Sequence, residues 1–261
     1  MATGPIPRTF DVAEATLRGT FQGNARFGLV AAALVYPLIV GAIASASLPA
    51  LDLLSAAETL YSALFLPVIL LLVCLVQGVS LFRTELEEDT LLYPMKRTIP
   101  RPAIVVGKYL GFLVATLLVL LPSAGVGLAL AAALGHGTTQ ATWGLGEAVV
   151  LLTVLGTVAY GAVFLFLGLL TRSALVIGLI YGFLWETFVS LISGPISQWT
   201  LVYYLRAAGY DLVPSGALGG NPTQVSVLGA TGGFIVFAIA CLAGASVLLR
   251  YAEIRPGASP S

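Results

Sequence analysis

Charge is what this sequence has least of: 9% of its 261 residues are Asp, Glu, Lys or Arg, where a soluble domain carries about a quarter. That scarcity excludes a water-facing globular surface. The twelve cations balance the twelve carboxylates, so there is no net field to draw in nucleic acid. The single histidine, His136, stands between Gly135 and Gly137 with no partner histidine or cysteine, and reads as a turn residue rather than a metal ligand. An intramembrane serine protease, which needs a histidine deep in a span near a serine such as Ser190, is excluded by the same shortage. The two cysteines, Cys74 and Cys241, each lie inside an apolar run and read as small buried hydrophobes, not as a disulfide. No G-x-x-x-x-G-K-[ST] stretch occurs, so the chain does not bind ATP through a Walker loop. No catalytic, cofactor-binding or metal-binding residue is expected.

What is present is oil. Hydrophobic residues make up 58% of the sequence and the mean hydropathy is +1.00. The apolar residues fall into six long runs, at about 27–48, 61–82, 104–134, 146–170, 174–194 and 227–249, each near the roughly 20 residues a helix needs to cross a bilayer. The first follows a polar lead of some two dozen residues and is too long for a signal-peptide core. If all six cross, eleven of the twelve cations share one side: Arg8, Arg18, Arg26, Arg83, Lys96, Arg97, Arg101, Lys108, Arg172, Arg250 and Arg255. Only Arg206 is opposite. By the positive-inside rule both termini are expected in the cytoplasm, with the segments near 49–60, 135–145 and 195–226 facing outward.

Within that frame, residues 10–22 put Phe10, Ala13, Leu17 and Phe21 on one helical face, as in a helix lying flat on the inner leaflet. Pro37, Pro67 and Pro122 interrupt the first three spans, and each needs a neighbour to satisfy the carbonyl it frees. GxxxG pairs stand at Gly107/Gly111, Gly178/Gly182 and Gly229/Gly233; since about three would arise by chance among 29 glycines, they read as general helix packing. The outer segment 195–226 is too long for a turn and too apolar for a solvated loop. With Trp199, Tyr203, Tyr204 and Tyr210 suited to a headgroup boundary, it reads as a short helical hairpin dipping into the outer leaflet or as a folded cap on the helix ends.

Two features carry candidate function. Glu186, beside Trp185, is the one carboxylate read as lying well inside a span, where an acid is expensive and functional by default. It is a site for a cation, a proton or a helix-joining hydrogen bond. Glu147, at the outer edge of span four, reads as solvated. The second feature is the segment 83–103, the most charged of the chain. Thr84 with Glu87 has the form of a capping box, and Glu85, Glu87, Glu88 and Asp89 favour a helix N-terminus. Lys96 and Arg97 follow the expected stop before Pro94. A short cytoplasmic surface helix and a Pro-bounded turn are expected there, and a solvated positive-inside loop is the plainer reading of the same residues.

The succession Glu88, Thr90, Leu91, Pro94, Arg101, Gly107 and Lys108 resembles the segment between the second and third helices of ABC-2 type transporter permeases. The order of elements is similar too: six spans, an interfacial N-terminal helix, and a long outer segment before the last span. Asp89 stands where that family commonly has a small glycine. The resemblance implies an all-α polytopic protein of one transmembrane domain. Its parts would be a cytoplasmic leader with interfacial helix (1–26), a cytoplasmic coupling segment (83–103), an outer re-entrant hairpin (195–226) and a cytoplasmic tail (250–261). It also implies a homodimer in the cell membrane, in contact with membrane lipids and docked on two copies of a separate ATPase subunit that binds the ATP and Mg. The residues it assigns to coupling are Glu85, Glu87, Glu88, Asp89, Thr90, Leu91, Pro94, Lys96, Arg97 and Arg101. The expected activity is transport, as the permease subunit of an exporter, and not enzymatic. Two competing readings stand beside it: a gradient-driven secondary transporter or channel using Glu186, and a membrane anchor whose binding surface is the outer segment.

Overall fold

A computed structural model describes residues 5–22, 25–46, 52–87, 101–135, 139–171, 173–190, 195–213 and 226–252, and among them there are helices and no strands. In chain order these are α1 (Pro5–Gln22), α2 (Ala25–Ser45) and α3 (Leu53–Leu60), the last running through a π-helical stretch (Tyr61–Leu70) into α4 (Leu71–Glu87). Then come α5 (Arg101–Leu134), α6 (Thr139–Leu170) and α7 (Ala174–Ile180), which passes into a second π-helical stretch (Tyr181–Val189). A 3-10 turn (Pro195–Trp199), α8 (Leu201–Leu212) and α9 (Val227–Ala252) complete the set.

Five helical stretches are long and apolar enough to cross a membrane: Gly28–Ser45, Leu53–Leu81, Pro102–Leu134, Thr142–Leu170 and Val227–Leu249. The chain is a membrane-embedded helical protein. Of the six expected spans, that at 174–194 is the short one. Its described helix has seven residues in α7 and nine in the π stretch, roughly 24 Å of rise against about 30 Å of hydrocarbon. The second span is longer than its apolar run. Asp52 accepts from Leu54 N at 3.2 Å and caps a helix that starts at Leu53, so most of the segment expected as an outer loop at 49–60 is helix.

Helix α6 lies at the centre, against α4, α5, α7, α8 and α9, while α2 packs chiefly on α5. The apolar windows of α2 and α9 are only 28% and 22% buried, against 67% for α6, so these two present most of their surface outward. One proline is accommodated as hydrocarbon demands. Pro37 sits inside α2 and leaves the Ala33 carbonyl without its helical donor. Ser123 Oγ, next to Pro122 on α5, donates to that carbonyl. One turn further along α5, Gly127 lies under the Tyr36 ring, where a Cβ would come within 2.2 Å of ring carbon. Pro67 falls in the first π-helical stretch.

Two of the three GxxxG pairs lie in close helix–helix contacts, in keeping with their reading as helix packing. A Cβ at Gly107 would stand 2.7 Å from Thr9 O, and one at Gly111 2.5 Å from Ala13 O, so the pair is the bed in which α1 lies across α5. Gly178 and Gly182 receive Leu75 and Leu71 of α4. Gly233, of the third pair, meets nothing within 4 Å. Periodicity does not tell the pairs apart, because a groove is defined by the helix that fills it. The expected face of α1 changes accordingly. Val12, Ala13 and Thr16 turn towards α5, and Phe10 is left 65% exposed, where a leaflet surface would receive it.

Replacing Gly111 by Leu forces α1 off its bed and should lower the midpoint of thermal unfolding in detergent by about 3–10 °C, the scale of an overpacked contact in a chain of this size. Gly233→Leu should stay within about 1 °C of the parent. Equal midpoints for the two variants would mean that α1 is not docked there.

Candidate functional site

Glu186 is completely buried. The π-helical stretch around it is what brings its first partner close. In an α-helix residues five apart point about 140° away from each other, whereas i→i+5 pairing stacks them. Thr187 Oγ1 donates to Gly182 O, five residues back, in keeping with that register. Tyr181 Oη, also five residues back, donates to Glu186 Oε1 at 2.6 Å. Tyr160, from the middle of α6, donates to Oε2 at 3.0 Å.

The other two donors come from the outer segment. Leu201 N reaches Oε1 at 3.1 Å and Val202 N reaches Oε2 at 3.0 Å. These are the first two amides of α8. Thr200 is the N-cap, its Oγ1 accepting from Tyr203 N at 3.3 Å, so three amides that would otherwise be orphaned at the start of α8 all have acceptors. Each carboxylate oxygen thus takes one tyrosine hydroxyl and one backbone amide. Four donors and no acceptor is the set that a carboxylate matches. A negative group at a helix N-terminus also interacts favourably with the helix dipole. Trp185 Nε1 adds a hydrogen bond to Trp199 O at 3.3 Å just outside. Of the three uses open to Glu186 from sequence, the geometry fills the helix-joining one; every lone pair that a cation would need is already engaged.

The residues assigned to coupling divide. Glu88, Asp89, Thr90, Leu91, Pro94, Lys96 and Arg97 lie outside the described residues, as does His136. Glu85 and Glu87 end α4 and Arg101 opens α5. The capping box at Thr84 is not present: α4 runs unbroken from Leu71 to Glu87, leaving Thr84 in its interior. Neither glycine nor proline interrupts residues 79–87, so nothing stops the helix.

What the structure adds is the junction beneath that segment. Lys108, only 4% exposed, donates from Nζ to Leu81 O of α4 at 2.7 Å, tying the start of α5 to the end of α4. One turn away along the same helix, Gly111 holds α1. Further in, Thr116 Oγ1 donates to Gln77 Oε1 at 2.9 Å, a second polar tie between α5 and α4. Glu58, within the segment 49–60 expected to face outward, is a second buried acid and lies in α3. Asp52, an N-cap residue ahead of an apolar run, was the signal that could have placed it in a helix. Glu147 is exposed, as expected, and Cys74 and Cys241 are free thiols. No family model matches the chain, and neither does any curated protein.

Because Glu186 serves four donors, Glu186→Ala should cost about 2–5 kcal/mol of stability, and Tyr160→Phe or Tyr181→Phe about 1 kcal/mol each. Glu186→Gln should fall between, since its carbonyl keeps one side of the set and its amide repels a backbone N–H on the other. Unfolding of the four variants in lipid nanodiscs tests the order; an alanine variant no worse than the phenylalanine ones would remove Glu186 as the centre of the cluster.

Proposed function

We propose that this chain is the transmembrane permease subunit of an ATP-driven exporter of the ABC-2 type, working as a homodimer in the cell membrane with both termini in the cytoplasm. Two copies of a separate ATPase would dock on the segment from Glu85 to Arg101. The observation that carries the reading is the junction at the foot of that segment. Gly107 and Lys108, two of the residues on which the family resemblance rests, both act there: Lys108 ties α5 to α4 through the Leu81 carbonyl, and Gly107 seats α1 on α5. A displacement delivered to residues 88–100 would therefore act on α4 and α5 together, and on α1 with them, instead of being absorbed by a slack loop.

The substrate class follows from polarity. The spans carry almost no charge, so an apolar or amphiphilic cargo suits them better than a small ion. The occupied lone pairs of Glu186 weigh against the gradient-driven alternative, in which that carboxylate must take up and release a cation. An engaged ATPase shifts the permease only as far as it binds one conformation better than the other, so its contacts with 85–101 must differ between nucleotide states.

The test is capture of the solubilised full-length protein from its native membrane, with and without Glu87, Glu88 and Asp89 changed to Lys. The expected result is a Walker-motif ATPase that accompanies the parent chain and is lost from the charge-reversed one. Transport driven by a proton gradient in the absence of ATP would overturn the reading.

A further inference from the structure

Helix α8 is attached at both ends by a carboxylate on a helix N-terminus, and the two attachments differ in kind. At its start, Glu186 of the second π-helical stretch receives Leu201 N and Val202 N. At its end, Asp211 in the last turn of α8 accepts from Val227 N, the first amide of α9, at 2.9 Å. Asp211 is at the wrong end of its own helix, since negative charge is disfavoured at a C-terminus. Its placement is explained by the N-terminus of α9, which it serves together with Ser226, whose Oγ accepts from Gly229 N at 3.2 Å. The second π-helical stretch and α9 are thus joined through α8.

The first joint is fully buried and has four donors, two of them tyrosines from α6 and from Glu186's own helix. Val202, next to it, is fully buried as well. Breaking this joint strands several donors away from water at once, and the cost is correspondingly high. The second joint is exposed, and the side-chain hydrogen bond seen there between α8 and α9 among the described residues is that of Asp211. Water competes for both of its partners, so it opens at little cost. Behind it, α8 and α9 meet through an edge-to-face contact between Tyr204 and Phe234 at 6.5 Å. A Cβ at Gly232 or Gly233 of α9 would meet nothing within 4 Å among the described residues.

We propose that the outer side of this protein yields between α8 and the last helix, at the Asp211–Val227 joint, while Glu186 keeps α8 fixed to α6 as one body. Glu186 is then a fastening of the gate and not a carrier of cargo. This rests on the proposed reading of the chain as a transporter with cytoplasmic termini, and holds whichever energy source drives transport.

Two single-cysteine reporters in a Cys74→Ala, Cys241→Ala background test it in cells or proteoliposomes, using a membrane-impermeant maleimide added outside. Val202→Cys reports the buried joint. Ala230→Cys, buried in the first turn of α9 and one turn from Phe234, reports the yielding one. With Asp211→Ala, labelling of Ala230→Cys should rise about fivefold or more and that of Val202→Cys should stay at the parent rate, as expected for a local opening. An unchanged rate at Ala230→Cys, or an equal rise at both reporters, overturns the proposal. Conversely, Tyr181→Phe, which removes one of Glu186's four donors without emptying the site, should raise labelling at Val202→Cys more than at Ala230→Cys; the reverse order overturns it too.

Discussion

A polar backbone group in hydrocarbon has no water to turn to, and the ends and interruptions of the helices in this chain are organised around that constraint. An uninterrupted helix meets it internally. Every break must be met from elsewhere, and the elsewhere is specific. The carbonyl freed by Pro37 is answered by Ser123 from the neighbouring helix. The opening amides of α3, α8 and α9 are answered by Asp52, by Glu186 with Thr200, and by Asp211 with Ser226. The scarce polar residues are spent where the backbone needs them, which is how a chain so poor in charge holds a defined arrangement of helices.

The same constraint sorts what could be read in the sequence from what could not. Long apolar runs report helices directly, since length and hydropathy are one-dimensional properties. Hence the helix class and most span positions were legible, as was the helix at α1. The partners of polar groups were not. Nothing in the spacing of Glu186 and Leu201 announces a hydrogen bond across fifteen residues, and the π-helical register that aligns Tyr181 with Glu186 has no hydropathy signature. Thr84 misled for the opposite reason. It has the letters of a cap, but a cap needs a helix to begin there, and α4 was already under way. Glycine pairs were ambiguous until the neighbours were known: Gly107 and Gly111 hold a helix, and Gly233 touches none.

Buried acids in membranes invite functional readings because burial is costly, by a few kcal/mol even on insertion scales. Cost alone, however, does not separate a transport site from a structural one. The donor count does. A carboxylate that must exchange a cation needs lone pairs that are free for part of the cycle, whereas Glu186 has each oxygen held by one hydroxyl and one amide. Two of those donors are the opening amides of α8, so taking the carboxylate away for another purpose would remove the acceptor that both of them use. Glu186 is therefore committed to the fold.

That commitment decides where motion can occur. A helix fixed by a buried, fourfold-satisfied anion moves with the body that supplies the anion, here α6 and the second π-helical stretch. Freedom is left to interfaces closed by exposed single bonds or by apolar contact, which slide without stranding a polar group. Among the described residues that is the meeting of α8 with α9, whereas the Lys108 and Gln77 ties hold α4 and α5 against the same kind of slippage. Between α4 and α5 the ties are hydrogen bonds of buried side chains, whereas α8 and α9 meet through the exposed Asp211–Val227 bond and an aromatic contact, so the two places differ in what it costs to part them.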